Sequence, residues 1–152
     1  MFSIEAVNDS ERRDVVLARL RATNTERSSV MRALRGTSVE RDVPVEVYAT
    51  GPEGALVGGL VGHVQWGWLH LDLLWVDERH RGAGVGGALT ARAENVARET
   101  HGAVGSQVET WDFQAPGFYR KVGYAEVAAV EDYPPGMTNH LLIKRFPPAP
   151  GA

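Results

Sequence analysis

The segment Leu74-Trp75-Val76-Asp77-Glu78-Arg79-His80-Arg81-Gly82-Ala83-Gly84-Val85-Gly86-Gly87 decides how the rest of the chain is read. An apolar run from Trp68 to Val76 ends in the charged or polar residues Asp77 to Arg81, which lead into a glycine run and then an alanine-rich stretch from Ala88 to Thr100 that stops near Gly102. That order predicts strand, loop, helix. Glycines let a backbone turn sharply and bring its N–H groups against a ligand. A helix starting there aims its unpaired N–H groups and positive dipole end at the same point. Such a nest binds phosphate oxygens.

Upstream of this segment, Val45, Val47 and Tyr48 lead to a Gly51-Pro52-Glu53-Gly54 turn and a glycine-rich run from Leu56 to Gln65, which together predict a hairpin. A break at Gly67 sets off Trp68 to Val76, whose near-continuous apolar character predicts a strand covered on both faces. Nearer the start, Phe2 to Val7 alternate as a strand; Asn8, Asp9 and Ser10 then offer capping oxygens to a helix from about Ser10 to Arg27, with Val15, Val16 and Leu20 at a helical period. Met31 and Leu34 fit a second short helix ended by Gly36. Downstream, Val104 to Thr110 reads as a strand, Gln114 to Val122 as a short helix closed by Gly123, and Tyr124 to Val130 as another strand. A Pro134-Pro135-Gly136 turn leads to a last strand from about Met137 to Arg145. Beyond it the prolines at 147, 148 and 150 cannot donate to a ladder, so a loose tail is expected.

Three kinds of phosphate site could use the glycine run. A P-loop needs Gly-Lys-Ser/Thr, which is absent. The dinucleotide fingerprint G-x-G-x-x-G is matched by Gly82, Gly84 and Gly87, with Glu109 roughly 20 residues on. That fold, however, needs repeated βαβ units, whereas a helix and three antiparallel strands are predicted before this loop and too little chain follows it. The third kind is the pyrophosphate loop Arg/Gln-x-x-Gly-x-Gly/Ala, which fits in two frames, Arg79 to Gly84 and Arg81 to Gly86.

Here the chain resembles the GNAT superfamily of N-acetyltransferases. Leu74-Trp75-Val76-Asp77 is similar to that family's strand running into its loop, which selects the frame starting at Arg81. Phe118-Tyr119-Arg120-Lys121-Val122-Gly123-Tyr124 resembles its second landmark, Phe-Tyr-x-Lys-x-Gly-Phe. The resemblance implies an α/β (α+β) fold: a central mixed, mostly antiparallel sheet of six to seven strands flanked by about four helices, one domain over 1–146 with a flexible Pro-rich tail at 147–152. It implies acetyl-CoA as co-substrate and an acetyl group moved to a primary amine of a small molecule, such as a metabolite, a polyamine or an amine-bearing antibiotic. A non-catalytic acyl-CoA-binding or sensing module and a protein lysine or N-terminal acetyltransferase stay open beside it.

The same resemblance implies that backbone N–H groups around Leu74, Trp75 and Val76 hold the acetyl carbonyl and pantetheine, and that the loop Arg81, Gly82, Ala83, Gly84, Val85, Gly86 and Gly87 holds the pyrophosphate. It places Tyr119 near the sulfur, where a phenol can protonate or hydrogen-bond the departing thiolate. One position departs from the family. Where relatives often carry Asn, seven residues before that tyrosine and near the pantetheine arm, this chain has Asp112.

An acceptor amine also needs a proton acceptor. In an ideal strand Trp68, His70 and Asp72 share one face, which makes Asp72 the leading candidate base and His70 the second. A bulge, frequent in this strand of the family, would change which side chains meet the cleft. Glu109, Asp112, Glu131 and Asp132 are candidates to attract a cationic amine, and Trp66, Trp68, Trp111 and Tyr133 to wall it. Ordinary structural roles, a solvated acidic loop and buried aromatics, fit these residues equally.

Composition narrows the classes further. The 152 residues, 43% hydrophobic and 23% charged, suit one globular core. With no cysteine there is no disulfide, thiolate metal site or cysteine nucleophile. A net charge of −3 offers no broad electropositive face for nucleic acid. The scattered histidines lack metal-ligand spacing, no G-x-S-x-G occurs, and neither a signal-type start nor a membrane-spanning run is visible. The expectation is a cytoplasmic protein with no nucleic-acid, membrane or metal partner; a homodimer is left open.

Overall fold

In the computed structural model, which describes residues 1–148 and Gly151, the elements follow the order α1 (Ser10–Arg27), α2 (Ser29–Leu34), β1 (Val43–Thr50), β2 (Leu56–Gln65), β3 (Trp68–Val76), α3 (Val85–His101), β4 (Gly105–Trp111), α4 (Pro116–Lys121), β5 (Ala125–Glu131) and β6 (Thr138–Arg145). Of the tail expected at 147–152, residues 149, 150 and 152 lie outside the described residues. The contacts divide the chain into two compact units, Met1–Thr37 and Ser38–Ala152.

In the first unit both helices start on side-chain caps. Asp9 accepts from the Arg12 N–H at 3.0 Å, and Ser28, which ends α1, accepts from the Met31 N–H at 3.1 Å to start α2. Arg35 Nε donates to Thr25 Oγ1 at 3.0 Å, tying the end of α2 back to α1. The strand expected over Phe2 to Val7 is not formed. Alternation defines two faces but supplies no partner, and every strand of the sheet comes from the second unit. Glu5 is instead ion-paired with Arg12 of α1.

The second unit is built on a six-stranded sheet of order β1-β2-β3-β4-β6-β5, antiparallel except where α3 carries the chain from β3 to a parallel β4. This mixed, mostly antiparallel sheet, with four α-helices among the described residues, is the fold that the resemblance implies. Trp66 and Gly67, both at positive φ (52° and 77°), make the two-residue turn between β2 and β3, and counting outward from it pairs His63 with His70. Leu60, Leu69 and Leu142 are fully buried, and α3 lays Leu89, Ala93 and Ala97 on the same core at i, i+4 and i+8. Each buried leucine contributes about 1.5–3 kcal/mol, and the small alanines let the helix lie close to the sheet. A polar tie crosses this packing. The Tyr124 hydroxyl donates to Glu94 at 3.0 Å and lies 2.7 Å from the Ser106 hydroxyl, while Lys144 Nζ reaches Glu94 at 2.7 Å and the Val122 carbonyl at 2.9 Å.

Three expectations are corrected here. β3 is covered on both faces only in its first half, since Leu73 and Trp75 are 65% and 49% exposed. The cause is the loss of its β4 neighbour beyond Leu71. α3 starts at Val85 rather than Ala88, because Gly84, at φ 84°, turns the chain into the helix inside the glycine run. α4 starts at Pro116 rather than Gln114, whose side chain instead accepts from the Trp111 N–H at 3.3 Å.

Candidate active site

β3 and β4 pair over Trp68–Leu71 and Gly105–Val108 and then separate. Asp72 to Val76 and Glu109 to Trp111 therefore border an open V, in which the backbone polar groups on the inner side of β3 have no strand to pair with. A cleft of about 750 Å³ occupies this V, lined by Asp72 to Val76, Arg81, Gly86, Val108 to Thr110, Phe113 to Ala115, Phe118 and Tyr119. The structure thus brings Leu74, Trp75, Val76, Arg81, Gly86 and Tyr119 together around one opening.

The loop at its mouth is shaped by glycine. Gly82 and Gly84 adopt φ of 76° and 84°, which a side chain would strain, and no atom lies within 4 Å of where their Cβ would be. The first-turn N–H groups of α3, at Val85, Gly86 and Gly87, have no intrahelical acceptor. Arg81 Nε donates to the Val76 carbonyl at 3.3 Å, holding the loop to the end of β3. Asp77 is held well below the usual carboxylate range by Arg79, which binds both of its oxygens at 3.0 Å. Left-handed turns, free helix-start amides and an open groove beside them fit the diphosphate and pantetheine arm of acetyl-CoA.

Tyr119, on α4, is 5% exposed, with its ring edge-on to Phe118 and Tyr124 at centroid distances of 5.2 and 5.6 Å. Burial pushes its phenol up to about 12, so it stays protonated at neutral pH. It lines the cleft, and among the described residues its hydroxyl has no hydrogen-bond partner.

A second, smaller cavity of about 260 Å³ adjoins the cleft, lined by His70, Leu71, Asp72, Gln107, Val108, Glu109 and Leu141. Asp72 and Glu109 border both spaces. Glu109 accepts from Asn139 Nδ2 at 2.8 Å, and His70 is met at its ring edge by the Gln107 amide. Burial and then the neighbouring His63 lower the His70 pKa, so this imidazole is neutral at pH 7.

Other candidates lie elsewhere. Asp112 lines neither cavity; its carboxylate accepts from the Thr138 N–H at 3.0 Å and pairs with His140 Nε2. Asp132 caps the 132–137 turn by accepting from the Gly136 N–H at 3.2 Å, and Trp68 stacks on Arg145 at 5.3 Å. Glu131, Trp66, Trp111 and Tyr133 line neither cavity. Sequence reasoning missed His63 and Gln107, which flank His70 on β2 and β4. For His63 the signal was present: counting back from a two-residue turn at Trp66-Gly67 sets it opposite His70.

The model of the acetyltransferase (GNAT) family matches residues 16–124, and the chain belongs to that family. It is 63% identical over 133 residues, 86% of this chain and 98% of the relative, to the blasticidin-S acetyltransferase of Streptomyces morookaense. Among solved structures it is similar to an acetyltransferase from Bacillus cereus, with 30% identity, a TM-score of 0.78 and coverage of 95% of this chain and 98% of that one. It also shares its fold with an aminoglycoside 6'-N-acetyltransferase complexed with coenzyme A, at 18% identity, a TM-score of 0.62 and coverage of 97% and 98%. The protein is an N-acetyltransferase that uses acetyl-CoA and transfers its acetyl group to an amine. No helix among the described residues is long and apolar enough to cross a membrane.

Proposed function

We propose that the acceptor is blasticidin S or an antibiotic amine closely related to it, its reacting amine entering the smaller cavity beside the thioester. The observation that carries this reading is the 63% identity to the blasticidin-S acetyltransferase across 98% of that protein's length. The family match over residues 16–124 spans both compact units, which supports one acetyltransferase domain over 1–146.

In the proposed mechanism, the amides of residues 82 to 87 grip the diphosphate and the free backbone groups of Leu74 to Val76 align the pantetheine arm. The nitrogen lone pair forms the C–N bond to the acetyl carbonyl while the C–S electron pair leaves with sulfur. The nitrogen becomes acidic as that bond forms, so a carboxylate is a sufficient base for its N–H proton, and Asp72 takes it. Tyr119 meets the departing sulfur. Burial holds the Tyr119 phenol well above its ordinary value, which disfavours full transfer of its proton. Tyr119 therefore acts as a hydrogen-bond donor to the thiolate, and the sulfur takes its proton from solvent. His70 is neutral and held by Gln107, which leaves it as the wall of the amine cavity.

The test is an amine panel containing blasticidin S, with thiol release and product mass as readouts. Blasticidin S should show the highest kcat/KM; turnover of other amines with none of blasticidin S would overturn the acceptor assignment.

A further inference from the structure

β2 and β3 keep one register from their turn as far as Gly62 opposite Leu71, and then shift, so that Val61 faces Leu73 and Asp72 is left opposite no residue. The shift requires glycine at 62, since a Cβ there would lie 2.3 Å from the His70 carbonyl oxygen. Asp72 is thus a bulge residue, its side chain 49% exposed, at the boundary shared by the acetyl-CoA cleft and the amine cavity. A half-exposed carboxylate on a bulge is only loosely held by packing. One side chain does fix it: His63 of β2, whose Nδ1 lies 2.8 Å from Asp72 Oδ2. A carboxylate at that distance requires the proton on Nδ1, so His63 is the donor. The imidazole is itself immobilised, stacked on His70 at 4.6 Å and 4° from parallel, and His70 is held in turn by Gln107.

We propose that His63 is a positioning residue for acetyl transfer: by holding Asp72 Oδ2 from the neighbouring strand, it turns Oδ1 toward the junction of the two cavities, where the acceptor nitrogen loses its proton. This rests on the reading above that Asp72 takes that proton. The N–H proton passes to Asp72 Oδ1, the nitrogen lone pair becomes the C–N bond, and the C–S pair leaves with sulfur, which is protonated from solvent.

Two replacements separate the hydrogen bond from the ring. His63→Phe keeps a flat ring to stack on His70 and removes the donor; His63→Asn places an amide N–H where Nδ1 stood and removes the ring. Steady-state kinetics with acetyl-CoA and the panel amine of highest kcat/KM should show kcat reduced about 10- to 100-fold in His63→Phe, the scale of a misplaced catalytic group, with the acetyl-CoA KM unchanged. His63→Asn should restore kcat to within a few fold of the parent. In an Asp72→Asn background, His63→Phe should have no further effect, because the group it positions is gone. An unaltered kcat in His63→Phe, or an equal loss in both backgrounds, overturns the role of His63 and leaves that of Asp72 standing. An Asp72→Asn enzyme of full activity overturns both.

Discussion

Tyr119 shows how burial selects between two roles that one side chain could play. Its ring is packed against Phe118 and Tyr124 and the residue lines the cleft, so burial keeps the phenol protonated and disfavours giving its proton up outright. In the proposed mechanism its part is a directed hydrogen bond to sulfur. Tyr119→Phe should therefore lower kcat by about 10- to 100-fold, below the upper range for full acid catalysis, and leave acetyl-CoA affinity within a few fold of the parent. Steady-state kinetics beside equilibrium binding of acetyl-CoA check this; parental kcat would remove Tyr119 from the chemistry. Tyr124, one helix turn and a loop further on, stands where the family landmark has Phe and serves the structure, its hydroxyl shared between Glu94 and Ser106. Tyr124→Phe should cost about 1–3 kcal/mol by urea unfolding, because Glu94 and Ser106 lose a buried partner, with the acetyl-CoA KM unaffected.

At the level of elements, the start of α3 sets stability against ligand approach. Gly87 lies in the helix's first turn, at no positive φ, with open space where its Cβ would be. Alanine there should stabilise the fold by up to about 1 kcal/mol, the usual gain over glycine in a helix. The same methyl group would stand where the proposed mechanism brings the diphosphate, so the acetyl-CoA KM of Gly87→Ala should rise several fold while Tm rises. Parallel melts and kinetics decide; a Tm gain with no change in KM would place the diphosphate elsewhere. Gly84→Ala should differ, losing roughly 1–2 kcal/mol to the strain of φ 84°. The strand-loop-helix unit was legible because glycines, a buried strand and an alanine-rich helix each speak locally, and the second landmark fixed the order. The bulge at Asp72 and the failure of Phe2 to Val7 to pair were not, because both depend on which backbones meet, and alternation along one strand carries no such information. The destination of Asp112 was hidden for the same reason: His140 lies 28 residues away and meets it only once β6 pairs with β4.

On the scale of the whole molecule, pH should act through the cluster that joins the end of β4 to β5 and β6. His140 of β6 is bonded through Nε2 to Asp112 and through Nδ1 to Glu126 of β5, and Glu126 also receives Arg120 of α4 at 3.2 Å. Both ring nitrogens must then donate, and first Asp112, then Glu126, raise the His140 pKa above its usual value. Reciprocally, His140 first and the Thr138 amide second lower that of Asp112. The signs follow from linkage. A group whose folded pKa is raised contributes fully below its unfolded value, about 6.5, and loses that contribution as pH climbs through the folded one. Asp112 contributes above its unfolded value, about 3.9, and its share is lost as pH falls through the lowered one. The cluster is therefore at full strength between about pH 4 and 6.5. His140→Gln should melt below the parent at pH 6, and the gap should narrow steadily toward pH 9 as the parental imidazolium gives up its proton. Because Phe113 to Ala115, which follow Asp112, form one wall of the cleft, acetyl-CoA affinity should weaken in the parent over the same interval and stay flat in His140→Gln. Melts and equilibrium binding across that range test both halves. A Tm gap of constant width would mean that the bonds to His140 do not depend on its charge.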